Sequence, residues 1–498
     1  MPVVIDVTSF SGRGAAMDVG PVNNVILLAD GYKVTHYRHY PPGTTLLYSY
    51  FESRGGKFPY TCFFGLQYIL KRWLVGPVVT RQAILEAKEV HSSMYKNDED
   101  FNEEGWSYIL EHHGGRLPLR IKAVPEGTNV PTRNVLFTVE NTDPAVPWVT
   151  TFFETLLVQV WYPTTVATIS RVYKQILHHY LSLTNDNLLQ LESSLHDCGY
   201  RGVSSIESGA IGGAANMIHF KITGTVAGLC LLRKYYHLKT PWGYADPCSE
   251  HSSVTSWGRH READAYTHML NTYPGRPVSC VIDSYDMYKC LKEIICGQLK
   301  DLVKEHGQKG GVLTVRPDSD DPATAVLKCL EILGQHFGTE INNKGYKMLP
   351  SFLQVFHSDG INIQSLVNIL RTTERHGWST GNFKLGAGSS LLQKINRDIL
   401  NFAFKCSFAV VDGREREVYK QPMTDTGKNS KKGRLTLQSH NKNYITIEHG
   451  KGDPEKDLLV PVFENGKLLH DYRFEEIRQR AQITPDDIDI LQFLTADK

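Results

Sequence analysis

The stretch Gly311-Val-Leu-Thr-Val-Arg-Pro-Asp-Ser-Asp-Asp321 indicates the fold, because it joins a buried strand, a polar loop and the start of a helix. Residues 312–315 form a short apolar run with β-branched side chains, which favours a strand. Asp320 or Asp321 can cap the following helix, and Pro322 suits its first position. Apolar residues then recur at helical spacing. The stretch is therefore typical of one strand-loop-helix unit.

Two charged side chains, Arg316 and Asp318, lie in the loop of this unit. Ligands bind at the carboxyl ends of strands in βα barrels and in open α/β sheets. Arg316 offers a planar fork for a phosphate, carboxylate or amide oxygen, and Asp318 can take a metal ion or a sugar hydroxyl. An Arg–Asp pair that only braces the turn is the structural alternative.

The same pattern of strand, polar loop and helix recurs along the second half of the chain. Asp283, Asp318, Asp359 and Gly388 each follow a strand-like run, and they are spaced by about 30 to 40 residues, the length of one βα unit. A single aspartate at such a place is often only a helix cap. Three of them in successive units predict a βα barrel or parallel sheet that carries the carboxylates at one end.

The two ends of the chain have a different pattern. Residues 25–29 and 45–51 read as strands, and residues 148–180 read as long apolar helices at a domain junction. After residue 405 the strands look antiparallel, with Asp412-Gly413 as a hairpin turn. These features predict a second domain of mixed α and β structure.

Size and composition limit the class of protein. A chain of 498 residues can form two or three domains, and its net charge of +1 gives no overall field for nucleic acid or acidic membranes. Its nine cysteines form no C-x-x-C pair and are odd in number, which favours reduced thiols in the cytoplasm. No secretion signal is visible at the N-terminus, and no run approaches the roughly 18 apolar residues of a membrane span. We expect a soluble protein.

Three further motifs suggest phosphate chemistry. Gly386-x-Gly388-Ser-Ser390 leads into a helix expected to run to Arg397, so it offers backbone N–H groups and a positive helix end at a strand end, which suits a monophosphate. It matches neither a dinucleotide fingerprint nor a Walker A motif. Residues 420–434 carry five basic side chains, as a solvated loop or as a clamp for a charged anion. Glu250-His251 places an acid beside a histidine that is either structural or a nucleophile or proton carrier, and Ser252 or Ser253 can cap the helix that follows. The residues alone indicate an α/β enzyme that handles a phosphorylated substrate with Mg²⁺ and leave its base or sugar undefined.

A resemblance to a known family extends over nearly the whole chain from about residue 24. It is carried by the following stretches: residues 28–37, 65–70, 121–127, 135–143, 199–205, 250–252, 283–286, 316–319, 391–394 and 430–435. In order and in sequence they closely resemble the nicotinamide phosphoribosyltransferase family. The resemblance implies an irregular βα barrel of the type II phosphoribosyltransferase kind and a mixed α+β domain built from both chain ends. We expect a flexible arm at 1–23, the α+β domain at 24–185 and 401–498, and the barrel at 186–400.

The resemblance also implies a function. Members of the family are homodimers whose active sites lie at the subunit interface. They join nicotinamide to 5-phosphoribosyl 1-pyrophosphate, which gives nicotinamide mononucleotide and pyrophosphate for NAD salvage. In this chain His251 would be the histidine that ATP phosphorylates to drive the reaction, with Glu250 beside it, and Mg²⁺ would assist.

The remaining expected site residues follow from the same resemblance. Arg316 and Ser279 would face the base amide, and Tyr32 of the partner subunit would cover one face of the base. Ribose hydroxyls and Mg²⁺ would be served by Asp283, Asp318 and Asp359. The 5-phosphate would be held by Arg54, Arg397, Lys405 and Gly388, and the pyrophosphate by Lys420 and Lys428. Further expected substrate contacts are Asp30, Cys198, Arg201, Gly224 and Ser389.

Several positions depart from the family, mainly around the base. Cys198 stands where an aromatic residue stacks on nicotinamide, and Gly224 stands where a carboxylate accepts a hydrogen bond from the amide. Ala403, Ser389 and Ser358 are the other changes. If nothing replaces them, the lost stack costs about 0.5–1.5 kcal/mol and the lost acceptor about 1.5–3 kcal/mol.

These departures keep alternatives open. Nicotinamide is the default acceptor, but nicotinate would meet less repulsion without a carboxylate at position 224, and a bulkier base would have room beside Cys198. A catalytically weak dimeric binding or regulatory protein on the same scaffold is the second hypothesis. A sugar-phosphate enzyme on a generic barrel is the third, and it leaves His251 and the basic loop at 420–434 unexplained.

Overall fold

The computed structural model describes residues 22–239, 242–424, 429–440 and 443–484. The strands in these residues are β1 (Thr44–Ser53), β2 (Tyr60–Cys62), β3 (Leu119–Ala123), β4 (Asn129–Pro131), β5 (Val135–Asn141), β6 (Leu195–Asp197), β7 (Ile222–Thr223), β8 (Pro277–Val281), β9 (Val312–Arg316), β10 (Glu340–Ile341), β11 (Lys347–Met348), β12 (Leu353–His357), β13 (Phe383–Ala387), β14 (Phe402–Val411), β15 (Arg414–Glu417), β16 (Thr436–His440), β17 (Asn443–Ile447), β18 (Val460–Glu464) and β19 (Lys467–Leu468).

The α-helices are α1 (Leu66–Ile69), α2 (Arg81–Tyr95), α3 (Glu103–His113), α4 (Val149–Phe152), α5 (Glu154–Val158), α6 (Trp161–Thr184), α7 (Ile206–Asn216), α8 (Val226–Tyr235), α9 (His251–Thr255), α10 (Glu262–Thr272), α11 (Met287–Lys289), α12 (Lys300–Gln308), α13 (Pro322–Phe337), α14 (Ile363–Arg375), α15 (Ser389–Leu392) and α16 (Phe474–Arg480). Two π-helical segments, Leu70–Leu74 and Cys290–Gln298, continue α1 and α11.

The strand-loop-helix units predicted from the sequence form a curled parallel sheet. Its strand order is β7-β6-β13-β12-β9-β8, and every neighbouring pair is parallel. The strands predicted around residues 278, 312, 353 and 383 are β8, β9, β12 and β13. Asp321 caps α13 by accepting a hydrogen bond from the Thr324 N–H at 2.9 Å, and Pro322 is the first helical residue. The predicted barrel-like βα architecture is confirmed.

An antiparallel sheet brings the two ends of the chain together. Its strand order is β15-β14-β1-β5-β3-β18-β19, so that N-terminal strands lie between C-terminal ones. At its centre the Phe51 ring stacks on Phe137 at 4.8 Å and on Phe402 at 5.2 Å between centroids, and all three side chains are buried. Burial of such large rings dominates core energetics. The predicted α+β domain built from both chain ends is confirmed.

Helix α6 packs against β2, which forms a small separate sheet with β4, and against α7 and α14. It is buried along most of its length. With α4 and α5 it accounts for the helices predicted at residues 148–180. The exact domain boundaries at residues 185 and 400 stay a prediction.

Two local predictions were wrong. Residues 25–29, expected as a strand, begin with a 3-10 helix at Val25–Leu27, which the Asn24 side chain caps by accepting from the Ile26 N–H at 3.0 Å. A short apolar run does not distinguish a buried strand from a buried helical turn, and no neighbouring strand pairs with this one. The helix expected to run to residue 397 is only α15, one turn long.

Most of the expected N-terminal arm, residues 1–21, lies outside the described residues. Within the described part of the chain, no helix combines the length and the apolar character needed to cross a membrane.

Candidate active site

A cavity of about 1080 Å³ opens at the carboxyl ends of the parallel strands. Side chains two residues apart on a strand share a face, so successive strands present a ring of residues to the same space. The predicted site residues that line the cavity are Cys198, Arg201, Gly224, Glu250, His251, Ser279, Arg316, Asp318, Asp359, Gly388 and Ser389. Residues from distant parts of the sequence therefore meet at the carboxyl ends of the parallel strands, as the repeated βα pattern predicted.

The Arg316 guanidinium is held on three sides at the end of β9. Its Nη1 donates to the Cys248 thiol at 2.9 Å and to the Ser249 carbonyl at 3.0 Å, and its Nη2 lies 3.4 Å from the Asp318 carboxylate. Its Nε is buried and has no partner among the described residues. A buried donor without a partner is costly, so this N–H is available for a ligand oxygen.

Asp318 is a prepositioned carboxylate. Its Oδ1 accepts a hydrogen bond from the Ser358 hydroxyl at 2.9 Å. Burial works to raise the pKa of Asp318, but the Arg316 charge and the Ser358 hydroxyl together hold that pKa below its usual value. The carboxylate is therefore ionised at neutral pH. Ser358, a departure from the family, adds a hydrogen bond that a glycine could not make.

His251 contacts Asp283, a pairing that the sequence did not reveal. Its Nε2 lies 3.0 Å from the Asp283 Oδ1. The Asp283 side chain is 7% exposed and the His251 side chain 49% exposed, so a fixed acid orients an accessible ring. Such a carboxylate fixes the tautomer and direction of an imidazole. Asp283 does not itself line the cavity, but it contacts His251, which does.

Glu250 also acts differently from the simplest expectation. We expected Ser252 or Ser253 to cap the helix, but α9 begins at His251 with Glu250 as its N-cap residue. Ser253 accepts from the Glu250 N–H at 3.1 Å, and the Ser252 hydroxyl donates to the Glu250 carboxylate. The Glu250 carboxylate therefore contacts a residue of its own helix turn, and the His251 imidazole contacts Asp283 instead.

The wall at the β6 and β7 strand ends contains the two main departures. Burial, with the neighbouring Asp197 charge, raises the pKa of the Cys198 thiol to about 12, so this side chain is neutral. A Cβ added at Gly224 would lie 3.0 Å from the Asp197 carbonyl, a close contact, and within 4 Å of no other heavy atom counted. This part of the cavity therefore offers neither a stacking ring nor a carboxylate from these two positions.

The predicted phosphate loop at Gly388 and Ser389 packs closely against the loop that contains Gly199 and Gly202. A Cβ at Gly202 would lie 2.2 Å from the Ser389 hydroxyl, and one at Gly199 would lie 2.9 Å from the Gly388 carbonyl. Glycine at both places lets the loops approach. Because α15 has a single turn, its helix dipole contributes little to binding an anion here. The predicted phosphate site therefore depends on the backbone N–H groups of the loop itself.

A second group of predicted residues lies outside this cavity, on the antiparallel sheet. Lys405 on β14 is paired with Tyr50 of β1, the strand that Arg54 follows. Burial lowers the pKa of Lys405, the Glu154 charge opposes this, and the charges of Arg54 and Lys420 lower the pKa further, so we treat these three cations as one cluster. Glu52 is buried beneath them, 3.1 Å from the Arg54 Nε and 2.8 Å from the Lys431 Nζ. The Nη2 of Arg54 is buried and has no partner among the described residues. The cluster has more cations than acids, which suits a multiply charged anion.

Four other predicted residues are apart from both groups or cannot be placed. Tyr32 is 58% exposed on a 3-10 helix, Gly31–Arg38, and Asp30 before it accepts from the Thr155 hydroxyl at 2.6 Å. Arg397 is exposed and lies 3.7 Å from Asp398. Lys428 falls outside the described residues.

The cavity does not form a dedicated metal cage. Among the described residues, no three His, Cys, Asp or Glu side chains come together as metal ligands. Asp283 is engaged by His251 and Asp318 by Ser358, whereas the carboxylate of the exposed Asp359 accepts no hydrogen bond from another described side chain. Mg²⁺ commonly takes one or two carboxylates and completes its shell with water and substrate phosphates. The residues fit that mode of binding and not an all-protein site.

Several residues of the cavity wall were missed. Lys57, Lys384 and Lys394 add cations and Asp246 adds an acid. Lys384 had a visible signal, since it is a charged residue inside the short apolar strand β13. Lys57 follows the loop glycines after Arg54 and reaches the cavity from the other sheet, which no local pattern indicates.

Known families match this chain over most of its length. Residues 193–467 match the model described as the nicotinate phosphoribosyltransferase (NAPRTase) family, and residues 24–121 match the nicotinamide phosphoribosyltransferase N-terminal domain. The chain is 45% identical over 470 residues to the nicotinamide phosphoribosyltransferase of Xanthomonas campestris pv. campestris (strain 8004), covering 92% of this chain and 98% of that one.

Two solved structures share the fold. The nicotinate-nucleotide pyrophosphorylase from Pyrococcus furiosus superposes with a TM-score of 0.58 at 14% identity, covering 97% of this chain and 100% of that one. Human nicotinic acid phosphoribosyltransferase gives a TM-score of 0.54 at 16% identity, covering 93% and 96%. At such low identity the similarity concerns the arrangement of strands and helices.

Proposed function

The chain belongs to the nicotinate phosphoribosyltransferase family and is a phosphoribosyltransferase enzyme, and on this premise we propose that it joins nicotinamide to 5-phosphoribosyl 1-pyrophosphate. The pyridine nitrogen attacks C1 of the ribose, the bond from C1 to pyrophosphate breaks, and nicotinamide mononucleotide and pyrophosphate form. The product would enter NAD salvage. The observation that carries the proposal is the cavity in which Arg316, Asp318 and the His251–Asp283 pair meet at one strand edge.

The residues suit the charges of that reaction. Loss of pyrophosphate builds positive charge on the ribose and negative charge on the leaving group. The ionised Asp318 and the exposed Asp359 would stabilise the ribose side. Mg²⁺, when bound, would neutralise diphosphate charge, and Asp318, Asp359 or Asp283 are the carboxylates that could hold it. The free Arg316 Nε would donate to an oxygen of the base.

We further propose that ATP drives the reaction by phosphorylating His251. The ring is half exposed, so a phosphoryl donor can reach it, and Asp283 holds its direction. Lys57 and Lys394 in the same cavity supply the cations that a phosphohistidine needs nearby.

A homodimer would complete the site. In the single chain the cluster of Arg54, Lys405 and Lys420 lies outside the cavity that holds Asp318. If the cluster faced the cavity of a partner subunit, it would receive the phosphate and pyrophosphate, and the partner's Tyr32 would cover the base.

Product analysis tests the reaction. Purified protein with 5-phosphoribosyl 1-pyrophosphate, Mg²⁺ and either nicotinamide or nicotinate, with and without ATP, should give nicotinamide mononucleotide as the main product. Turnover of nicotinate alone would favour the alternative that the missing carboxylate at Gly224 suggests. Tight binding of the sugar without turnover of either base would favour the regulatory alternative.

Complementation tests the composite site. Asp318→Ala and Lys405→Ala chains should each be inactive alone, and a mixture that exchanges subunits should regain about a quarter of the activity, since half of the dimers are mixed and each has one intact site. A mixture of Asp318→Ala with Arg316→Ala, both in the same cavity, should stay inactive. Recovery in the second mixture, or none in the first, would contradict the shared site.

A further inference from the structure

Two residues of opposite charge line the cavity, and the charge of one acts on the other. Lys384 lies on β13, and Asp246 lies two residues after Tyr244, which is bridged to β7. Both residues line the cavity wall. No hydrogen bond or ion pair joins either side chain to the other or to another described residue. Charged side chains in such places are normally paired, because desolvation otherwise costs more than the contact returns. An acid and a base that line the same cavity without a partner can both be satisfied by one ligand group that carries a donor and an acceptor.

The backbone fixes the position of Asp246. Tyr244 forms a parallel bridge with Ile222 of β7, and its N–H donates to the Lys221 carbonyl at 2.8 Å. Two residues beyond this bridge on the two segments come Gly224 and Asp246, and residues two apart share a face. Asp246 is thus positioned one segment away from Gly224, and both residues line the cavity.

Lys384 reaches the same region from the other side. On the parallel sheet it is paired with Phe356, and β13 lies beside β6, which carries His196. Burial lowers the pKa of Lys384 and the Asp246 charge partly restores it, and burial with the Lys384 charge depresses the pKa of His196 to about 3. Lys384, His196 and Asp246 line the same cavity, and the neutral imidazole does not compete with the ammonium for an anion.

We propose that Lys384 and Asp246 are specificity-determining residues that bind the carboxamide of the acceptor base, with the ammonium donating to its oxygen and the carboxylate accepting from its NH₂ group. A primary amide presents one acceptor and one donor group on the same carbon, as the pair requires. A carboxylate in its place would satisfy Lys384 and face Asp246 with like charge. The inference rests on the proposed function and deepens it, because it selects nicotinamide over nicotinate through residues other than 198 and 224.

The test uses near-isosteric variants, Asp246→Asn and Lys384→Met, with Asp264→Asn and Lys309→Met as exposed controls outside the cavity. Loss of a hydrogen bond to a charged group should raise the KM for nicotinamide about 10- to 100-fold in either variant, while kcat and the KM for 5-phosphoribosyl 1-pyrophosphate change little. Asp246→Asn should also raise the ratio of nicotinate to nicotinamide turnover. The double variant should lose less than the product of the single losses, because both groups hold one ligand.

Equilibrium binding of benzamide and benzoate separates this inference from the reaction itself, since neither compound has a ring nitrogen to react. Benzamide should bind the unaltered protein more tightly than benzoate. Asp246→Asn should remove most of that preference, whereas Lys384→Met should weaken the binding of both compounds and keep the preference. If nicotinamide is not turned over but the benzamide preference and its loss are seen, the proposed function fails and the amide site stands. An unchanged KM for nicotinamide, or equal benzamide affinity in all variants, would overturn the inference.

Discussion

Replacing Asp283 by alanine should weaken the ATP-dependent reaction by removing the group that orients His251. The Nε2–Oδ1 distance is 3.0 Å and the carboxylate is 7% exposed, so water competes little for the acceptor. A hydrogen bond to a charged group contributes about 1.5–3 kcal/mol. Because the imidazole itself is half exposed, we expect the lower part of that range, a loss of about 10- to 30-fold in rate.

The assay compares initial rates of mononucleotide formation with and without ATP, together with transfer of labelled phosphate from ATP to the protein. Asp283→Ala should lose labelling and ATP stimulation in parallel. Asp283→Asn keeps an oxygen that can accept from the ring, so its loss should be smaller. Asp264→Ala is the matched control, because its carboxylate pairs with Arg261 at 2.7 Å on an exposed helix away from the cavity.

Two results would refute the reasoning. A rate with ATP within twofold of the unaltered protein would mean that Asp283 does not position the histidine. A loss of equal size with and without ATP, with normal phosphate labelling, would assign Asp283 to the ribose or to Mg²⁺ instead.

Three further predictions concern the chemistry and stability of single residues. Cys198 should react with iodoacetamide at pH 8 at least about tenfold more slowly than the exposed Cys230, measured by mass spectrometry of the peptides, because burial raises its thiol pKa to about 12; equal rates would contradict that environment. Burial raises the pKa of Glu126 from 4.5 to about 7, so the folded state binds the proton more tightly and loses stability as pH rises through this window. Urea unfolding should therefore show Glu126→Gln gaining about 3 kcal/mol relative to the unaltered protein between pH 4.5 and 7, and a difference independent of pH would argue against a protonated buried carboxyl. Trp106→Ala should cost about 3–5 kcal/mol in the same assay, because the indole is buried edge-to-face against Trp148 at 4.8 Å and Phe152 at 4.9 Å, whereas the exposed Leu85→Ala should stay within about 0.5 kcal/mol.

Much of the fold was visible in the sequence because it depends on local patterns. The apolar runs before Asp283, Asp318 and Asp359 are strands, and the cap formed by Asp321 and Pro322 is present. Each depends on neighbouring residues alone. The run at Val25 failed for the complementary reason: whether a short apolar run becomes a strand depends on a pairing partner that is distant in the chain.

The candidate site was predictable only in part. The family resemblance led to His251, but its contact with Asp283 joins the start of one helix to the end of a strand 32 residues later. Lys57 enters the cavity from the other sheet. Such contacts depend on how βα units and domains pack, which no single window of sequence contains.

The amino-acid order by itself determined which segments become strands and helices and which residue types stand at the strand ends, because hydrophobic periodicity and capping act over a few residues. Only the tertiary structure decided that Gly224, Asp246 and Lys384 line one cavity. Those positions result from the curl of the parallel sheet and its register, through which side chains far apart in sequence share one desolvated space.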